Sequence, residues 1–128
     1  MMEFTLVHEF EASPEAIFNT WMDSEKHSAM IDGESIIGKE DYSAWNGYIT
    51  GKNLEIVPCK KIKQSWRTSE FPEEQEDSII EIELEPIGNN RTKFTLHHYN
   101  LNDDDIQYKQ GWIDYYFSPM ETYFGNDQ

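Results

Sequence analysis

The sequence predicts an α+β domain in which one face of an antiparallel sheet is covered by a long C-terminal helix. Three observations lead to this prediction: apolar residues alternate in several segments between 3 and 99, two short helical segments follow the first of them, and an aromatic stripe with helical spacing follows residue 102. At 128 residues the chain can bury one core, and we expect a single domain over 1–128.

The composition excludes several classes of protein. Ten Lys and Arg against 25 Asp and Glu give a formal net charge of −15, so phosphate backbones and anionic lipid surfaces repel the chain. We therefore expect no nucleic-acid partner and no membrane partner, whereas a basic protein surface would suit this charge. A single cysteine and an N-terminus without signal-peptide character lead us to expect a cytoplasmic protein.

The first predicted element is a half-buried strand over residues 3–12, where apolar and polar side chains alternate. His8 lies on its apolar face. If this strand pairs with the last strand of the sheet, His8 and His98 are expected to approach each other. The other members of the apolar face are Phe4, Leu6, Phe10 and Ala12.

Two short helices are predicted next. Ser13 suits the N-cap of the first helix, and Pro14 suits its first position. Asp23-Ser24 favours the start of a second helix, which is expected to end near Ile31 because Asp32-Gly33 follows. The spacing of the first helix predicts a buried stripe of Ile17, Phe18, Trp21 and Met22.

A β-hairpin is predicted from Tyr42–Trp45 and Tyr48–Val57, because Asn46-Gly47 between them is a strong turn signal. Pro58 ends the second strand. Cys59 follows it and precedes two lysines that would favour its thiolate, but no partner histidine is identifiable nearby. We interpret Cys59 as a loop residue.

Three further strands are predicted at 61–68, 78–85 and 92–99, where alternation returns. If the first two are neighbours, basic residues of one face glutamates of the other across the sheet. The outer face of the first carries Lys61, Lys63, Ser65 and Arg67. The inward residues of the three strands are Ile62, Gln64, Trp66, Ile80, Ile82, Leu84, Phe94, Leu96 and His98.

The cluster Asn102–Asp105 favours the start of a long C-terminal helix. Pro119 cannot donate a hydrogen bond to the Tyr115 carbonyl, so the helix is expected either to kink or to start a new turn capped by Ser118. One face of this helix is expected to carry Tyr108, Trp112, Tyr115, Tyr116, Met120 and Tyr123.

The order and spacing of several short motifs resemble one known family over nearly the whole chain, from about Phe4 to Phe124. The family is that of the activator of heat-shock protein 90 ATPase homologues, within the START-like, helix-grip superfamily. The motifs are Phe10-x-Ala12-x-Pro14, Phe18-x-x-Trp21-x-Asp23, Tyr48-x-x-Gly51, Ser65-Trp66-Arg67, Phe71-Pro72, Gly111-Trp112-x-x-Tyr115-Tyr116 and Pro119-Met120.

The resemblance implies a curved antiparallel sheet of about six or seven strands wrapped around the C-terminal helix. It also implies two functions. The eukaryotic co-chaperone stimulates the ATPase of heat-shock protein 90, and other members of the superfamily hold apolar small molecules in a cavity. The sequence departs from the family at Ile31-Asp32-Gly33, where an aromatic residue is expected before the glycine. The co-chaperone also has an additional N-terminal domain for which 128 residues leave no room.

The leading functional hypothesis is that the protein binds an apolar or aromatic small molecule between sheet and helix, without catalysis. Polar and bulky aromatic residues share the faces that would enclose such a cavity, and a buried polar group needs a partner. The expected ligand-binding residues are Tyr42, Gln64, Trp66, His98, Trp112 and Tyr116. Tyr115 lies beside the last two and is a further candidate.

Two other functions stay open. A co-chaperone-like module could bind heat-shock protein 90 or another basic surface through its acidic exterior, with residues 70–77 as a docking loop. A small cyclase or dehydratase would need an inward acid or base, for which His8 and His98 are the candidates. The sequence contains no nucleophile elbow, phosphate loop or dinucleotide fingerprint, so we expect no cofactor and no catalytic residues.

Metal binding is not expected. His97 and His98 are adjacent on a predicted strand and therefore point to opposite faces. The run Asp103–Asp105 lacks the glycine and the distant glutamate of a calcium loop, so we interpret it as helix capping.

Overall fold

The computed structural model describes residues 1–125, and their strands form one antiparallel sheet. The strands are β1 (Met2–Phe10), β2 (Ile36–Ile37), β3 (Asp41–Ala44), β4 (Ile49–Val57), β5 (Lys61–Thr68), β6 (Ser78–Pro86) and β7 (Thr92–Leu101). Within the described range the sheet has seven strands in the order β1-β7-β6-β5-β4-β3-β2. The two-residue β2 is too short to leave a pattern in the sequence.

The first two helices begin at the residues that the sequence predicts. Helix α1 spans Pro14–Trp21 and α2 spans Ser24–Ile31. The side chain of Ser13 accepts a hydrogen bond from the Ala16 amide at 3.1 Å, and that of Asp23 accepts one from the Lys26 amide at 2.9 Å. Both N-cap predictions are therefore confirmed.

The C-terminal helical segment has four parts. A 3₁₀ turn (Asp103–Ile106) leads into α3 (Gln107–Trp112), a π-helical turn (Ile113–Phe117) and α4 (Ser118–Gly125). No helix within residues 1–125 is long and apolar enough to cross a membrane.

The π-helical turn corrects the predicted aromatic face. Tyr115 is 62% exposed and Tyr123 is only partly buried, whereas Phe117 and Phe124 are buried in their place. Pro119 has no N–H for the Tyr115 carbonyl, and the wider turn before it holds an additional residue. The buried face therefore passes from Trp112 to both Tyr116 and Phe117, and simple helical spacing fails at this point.

The pairing of β1 with β7 is antiparallel, as expected, but it separates the two inward histidines. His8 lies opposite Phe94, and His98 lies opposite Phe4. Four residues along a strand span roughly 13 Å, so His8 and His98 do not share a site. The prediction for β1 was also two residues too long, because the strand ends at Phe10.

The outer faces of β5 and β6 pair by charge as predicted. Lys61 lies opposite Glu83 and Lys63 lies opposite Glu81. Lys61 Nζ is 3.5 Å from Glu81 and 3.1 Å from Glu55 on β4. These exposed pairs favour the register and contribute little stability each.

Ser65, which was expected on the outer face, is buried by its neighbours across the sheet. The phenol of Tyr42 on β3 reaches over Gly51 on β4 and donates to the Ser65 carbonyl at 2.7 Å. The Ser65 hydroxyl accepts from the Lys52 amide at 2.8 Å. A side chain at Gly51 would collide with the Ser65 carbonyl oxygen, so this close approach requires glycine.

Candidate functional site

A cleft of about 600 Å³ opens between the C-terminal helical segment and the sheet, beside the turn that joins β3 to β4. Aromatic side chains dominate its walls, and aliphatic, polar and charged residues are in the minority. Seven aromatic residues of the described chain line it: Trp45, Tyr48, Trp66, Tyr108, Trp112, Tyr115 and Tyr116.

The floor of the cleft consists of Trp66, Trp112 and Tyr116, all of which are buried. Their rings are in contact: the centroids of Trp66 and Trp112 are 5.9 Å apart, and those of Trp112 and Tyr116 are 4.7 Å apart. The inward positions of β5 supply Trp66, and a spacing of four residues places Trp112 and Tyr116 on one side of the helix. Half of the six expected ligand-binding residues thus meet at this cleft.

The rim of the cleft is less buried and contains residues that sequence reasoning missed, above all Trp45. The indole of Trp45 covers Gly33, where an added Cβ would lie 2.8 Å from its Cζ3 atom. Tyr115 meets the same indole edge-on, with centroids 6.0 Å apart and planes at 79°. The Nε1 atom of Trp45 is buried and has no hydrogen-bond partner within residues 1–125.

A polar edge completes the rim at Glu70, Gln107 and Tyr108. The hydroxyls of Tyr108 and Thr68 are 2.7 Å apart, and Thr68 Oγ1 also accepts from the Glu70 amide at 3.2 Å. Burial is the main cause that raises the pKa of Tyr108 to about 12, with smaller contributions from Tyr48 and the Glu70 carboxylate. Tyr108 therefore stays neutral at physiological pH and can donate a hydrogen bond.

His98 lies behind the floor of the cleft, in a chain of hydrogen bonds. The Trp112 indole N–H donates to its Nδ1 at 3.0 Å, so the proton of the neutral ring is on Nε2. Nε2 donates to the Ser78 hydroxyl at 2.8 Å, which donates to the Trp66 carbonyl at 2.9 Å. Burial, with a smaller effect of His97, lowers the pKa of His98 to about 3.

Gln64 and Tyr42 are also engaged inside the protein and do not line this cleft. Gln64 donates to the Asn53 side chain at 2.8 Å and accepts from the Trp21 indole at 3.4 Å. The Tyr42 phenol is bonded to the Ser65 carbonyl. The alternation in the sequence shows only that these residues, like His98, face inward. It does not show whether an inward residue lines the cleft or is packed in the core behind the cleft.

A second buried histidine, His27 on α2, escaped the sequence analysis. Its Nδ1–H donates to the Trp21 carbonyl at 2.8 Å, so its Nε2 accepts from the Tyr116 hydroxyl at 2.9 Å. Burial lowers the pKa of His27 to about 4, although the bond to Trp21 opposes this. His27 therefore holds Tyr116 in place at the floor of the cleft, and no sequence motif marks it.

The candidate acid–base residues of an enzyme do not lie in the cleft. His8 pairs with Glu121 at 2.8 Å and contacts the ring of Phe117, and His98 uses both ring nitrogens inside the protein. Within residues 1–125 no group of three or more His, Cys, Asp and Glu side chains is arranged to hold a metal ion. Neither His8 nor His98 is therefore placed to act on a molecule in the cleft.

A seven-stranded antiparallel sheet closed by a C-terminal helix, with a cleft between them, defines a helix-grip protein. This is the class predicted from the sequence motifs. The chain belongs to the family described as Activator of Hsp90 ATPase homolog 1-like protein, whose model matches residues 11–125. The resemblance recognised in the sequence is thereby confirmed.

Comparisons with individual proteins agree with this family. The chain is 24% identical over 127 residues to the mouse Activator of 90 kDa heat shock protein ATPase homolog 1, covering 96% of this chain and 37% of the mouse protein. It thus spans little more than a third of that relative. The mouse protein is named an activator of the chaperone ATPase, and its other parts have no counterpart in the alignment.

Solved structures show the same fold. An HSP90 activator from Plasmodium falciparum superposes with a TM-score of 0.85 at 23% identity, covering 98% of this chain and 97% of that one. The solution structure of the Aha1 dimer from Colwellia psychrerythraea gives a TM-score of 0.79 at 17% identity, with 100% of both chains covered.

Proposed function

We propose that this protein binds an apolar or aromatic small molecule in the cleft between the sheet and the C-terminal helix. The observation that carries the proposal is the lining: seven aromatic side chains surround about 600 Å³. Small-molecule sites have this size and are mostly apolar, with a few polar groups that orient the ligand. Trp66, Trp112 and Tyr116 would form the apolar floor.

The polar residues of the rim support the proposal. Gln107 and Tyr108 line the cleft beside its aromatic walls and offer polar contacts that would orient a ligand.

Gly111 provides a direct test, because it lines the cleft and faces open space. A Cβ built on Gly111 meets no heavy atom within 4 Å. The Cβ of Gly111→Leu thus starts in open space, its side chain takes up part of the cleft, and leucine replaces a poor helix former by a good one. The variant is expected to fold with equal or higher thermal stability and to lose ligand affinity by about tenfold or more.

The probe is the neutral fluorophore N-phenyl-1-naphthylamine, followed by fluorescence and by shifts of the indole N–H signals. Gln110→Leu is the matched control, since it adds the same side chain at an exposed position of α3 outside the cleft. Binding to the wild type and to Gln110→Leu, with loss in Gly111→Leu, is expected. No binding to the wild type, or equal binding to all three, would refute the proposal.

A second candidate function is an interaction with heat-shock protein 90, favoured by the family and by the names of the mouse and Plasmodium relatives. The acidic loop 70–77 is the proposed docking surface, because Arg67 holds it in a defined shape. The guanidinium donates to the Gln75 and Pro72 carbonyls at 2.7 and 2.8 Å, and to the Asp77 carboxylate at 2.8 Å. A loop held this way presents its carboxylates in fixed positions to a basic partner.

The test is the ATPase rate of the chaperone from the same source, with and without this protein, at low and high salt. Glu73→Gln/Glu74→Gln should reduce any stimulation, whereas Glu83→Gln/Glu85→Gln on β6 removes the same charge elsewhere. No stimulation by the wild type, or equal effects of both pairs, would argue against this role for the loop.

A further inference from the structure

We propose that the ligand of the cleft is a cation, in which a quaternary or tertiary ammonium group is joined to an apolar group. This inference rests on the proposed function and names its ligand class. Two observations support it independently: the aromatic character of the walls and the sign of the charge at the rim.

The walls have the composition of an aromatic cage. Two pairs of neighbouring rings meet at steep angles, Trp45 and Tyr115 at 79° and Trp66 and Tyr108 at 78°, whereas Trp66 and Trp112 are tilted by only 32°. The cleft is thus lined by rings in several orientations, and any ring face that is open to the cleft attracts a cation. Tryptophan is the ring that attracts cations most strongly, and three tryptophans line this cleft, among them Trp112.

The charge at the rim has a single sign. Among the described residues that line the cleft, Glu70 is the only charged residue. Lys, Arg and His are absent from these described residues of the lining. The nearby cation Arg67 is engaged with Asp77 and with carbonyls of the acidic loop, so it is not free to bind an anion. A carboxylate at the mouth of an apolar cleft attracts a cationic guest and repels an anionic one.

The surroundings strengthen this preference. Glu70 starts the acidic segment 70–77, and the whole chain carries a net charge of −15. A cleft with low-dielectric walls focuses the field of such charges and raises the local concentration of cations. Two contacts of Thr68 position Glu70 and its neighbour: its hydroxyl accepts from the Glu70 amide, and its carbonyl accepts from the Phe71 amide at 3.1 Å.

The test compares choline with 3,3-dimethylbutan-1-ol, which has the same shape and hydroxyl group but a carbon atom in place of the charged nitrogen. Titrations are followed by the indole N–H signals of Trp45, Trp66 and Trp112. Choline is expected to bind about 3- to 30-fold more tightly than the alcohol, the range that cation–π attraction supports. Its affinity should fall as salt is added, because Glu70 is exposed to screening.

Two variants separate the effect of the charge that lines the cleft from the effect of the other charges of the acidic loop. Glu70→Gln should weaken choline binding and leave the alcohol unaffected, whereas Glu73→Gln removes one charge from the same loop outside the cleft and should weaken choline binding much less. Equal affinities for the two probes, or unchanged choline binding in Glu70→Gln, would overturn the inference and leave the proposed function intact. If neither probe binds while N-phenyl-1-naphthylamine does, the inference is overturned and the proposed function stands; if the fluorophore also fails, both proposals are refuted.

Discussion

The indole of Trp112 donates a hydrogen bond to Nδ1 of His98 at 3.0 Å, and this bond joins the C-terminal helix to the centre of strand β7. Trp112 lines the cleft, while its indole N–H is hydrogen-bonded to His98, which does not line the cleft. The cleft floor is thus anchored by a polar contact that a ligand need not supply. His27 anchors Tyr116 in the same manner.

The two buried histidines predict a loss of stability in mild acid. Burial lowers the pKa of His98 to about 3 and that of His27 to about 4, whereas both residues titrate near 6.5 in the unfolded chain. Below pH 6.5 these histidines therefore bind protons in the unfolded state but not in the native state. From pH 7 to pH 5 we expect these groups to lower the free energy of unfolding by on the order of 2–4 kcal/mol.

Urea denaturation of the wild type and His27→Gln at both pH values isolates this effect from the relief of repulsion among the 25 acidic residues. In the variant, the part of the change in free energy of unfolding between pH 7 and pH 5 that comes from the two histidines should be about half as large, because one of the two groups is removed. An unchanged pH dependence in His27→Gln would contradict the prediction.

A double-mutant cycle should detect the bond between Trp112 and His98. Trp112→Phe leaves Nδ1 of His98 without a donor, and His98→Phe leaves the indole N–H without an acceptor. Each unpaired buried group costs about 1–3 kcal/mol. In the double variant both groups are absent, so its loss should fall short of the sum by about 0.5–3 kcal/mol.

Thr92→Val combined with Trp112→Phe is the control cycle, since Thr92 lies six residues from His98 on the same strand and its hydroxyl donates to the Ala12 carbonyl at 2.7 Å, away from Trp112. Its free energies of unfolding should add. If the free energies of unfolding of the Trp112 and His98 variants are also additive, the hydrogen bond contributes no coupling energy.

Alanine should have opposite effects at Gly51 and Gly111. At Gly51 the new Cβ collides with the Ser65 carbonyl oxygen and lies 2.7 Å from Cε1 of Tyr42, so the strands must separate. We expect Gly51→Ala to cost about 1–3 kcal/mol or more. At Gly111 the Cβ meets nothing within 4 Å, and Gly111→Ala should stabilise the helix by up to about 1 kcal/mol. Thermal unfolding of both variants measures the contrast, and equal melting temperatures would refute it.

Arg67→Lys should loosen the acidic loop while the sheet stays intact. Lysine keeps the charge but lacks the planar fork with which Arg67 reaches the Pro72 and Gln75 carbonyls and Asp77 together. Amide hydrogen exchange over residues 73–77 should accelerate. Arg91→Lys, whose arginine pairs with Glu9 at the far end of β1, should leave that exchange unchanged. Equal exchange rates in both variants would contradict the role of Arg67.

Local chemistry explains why the sequence predicts most elements. The caps at Ser13 and Asp23 depend on side chains within three residues of the amides they satisfy, and both were correctly placed. The inward positions of Trp66 and His98 follow from the two-residue period of a strand. Tyr115 was misplaced because the π-helical turn before Pro119 breaks the period on which the prediction depended.

The sequence by itself determined the order of the longer elements, most of the inward strand positions, the family and the negative charge, because these depend on residue type and short-range spacing. Only the tertiary structure decided which inward residues line the cleft. Trp45, Glu70 and Gly111 come together from a turn, a loop and a helix that are distant in the chain. Tyr42, Gln64 and His98 share an inward face with Trp66, yet their polar atoms are bonded to neighbouring strands and helices. Register and packing, which no single segment specifies, separate the wall of a cavity from the core behind it.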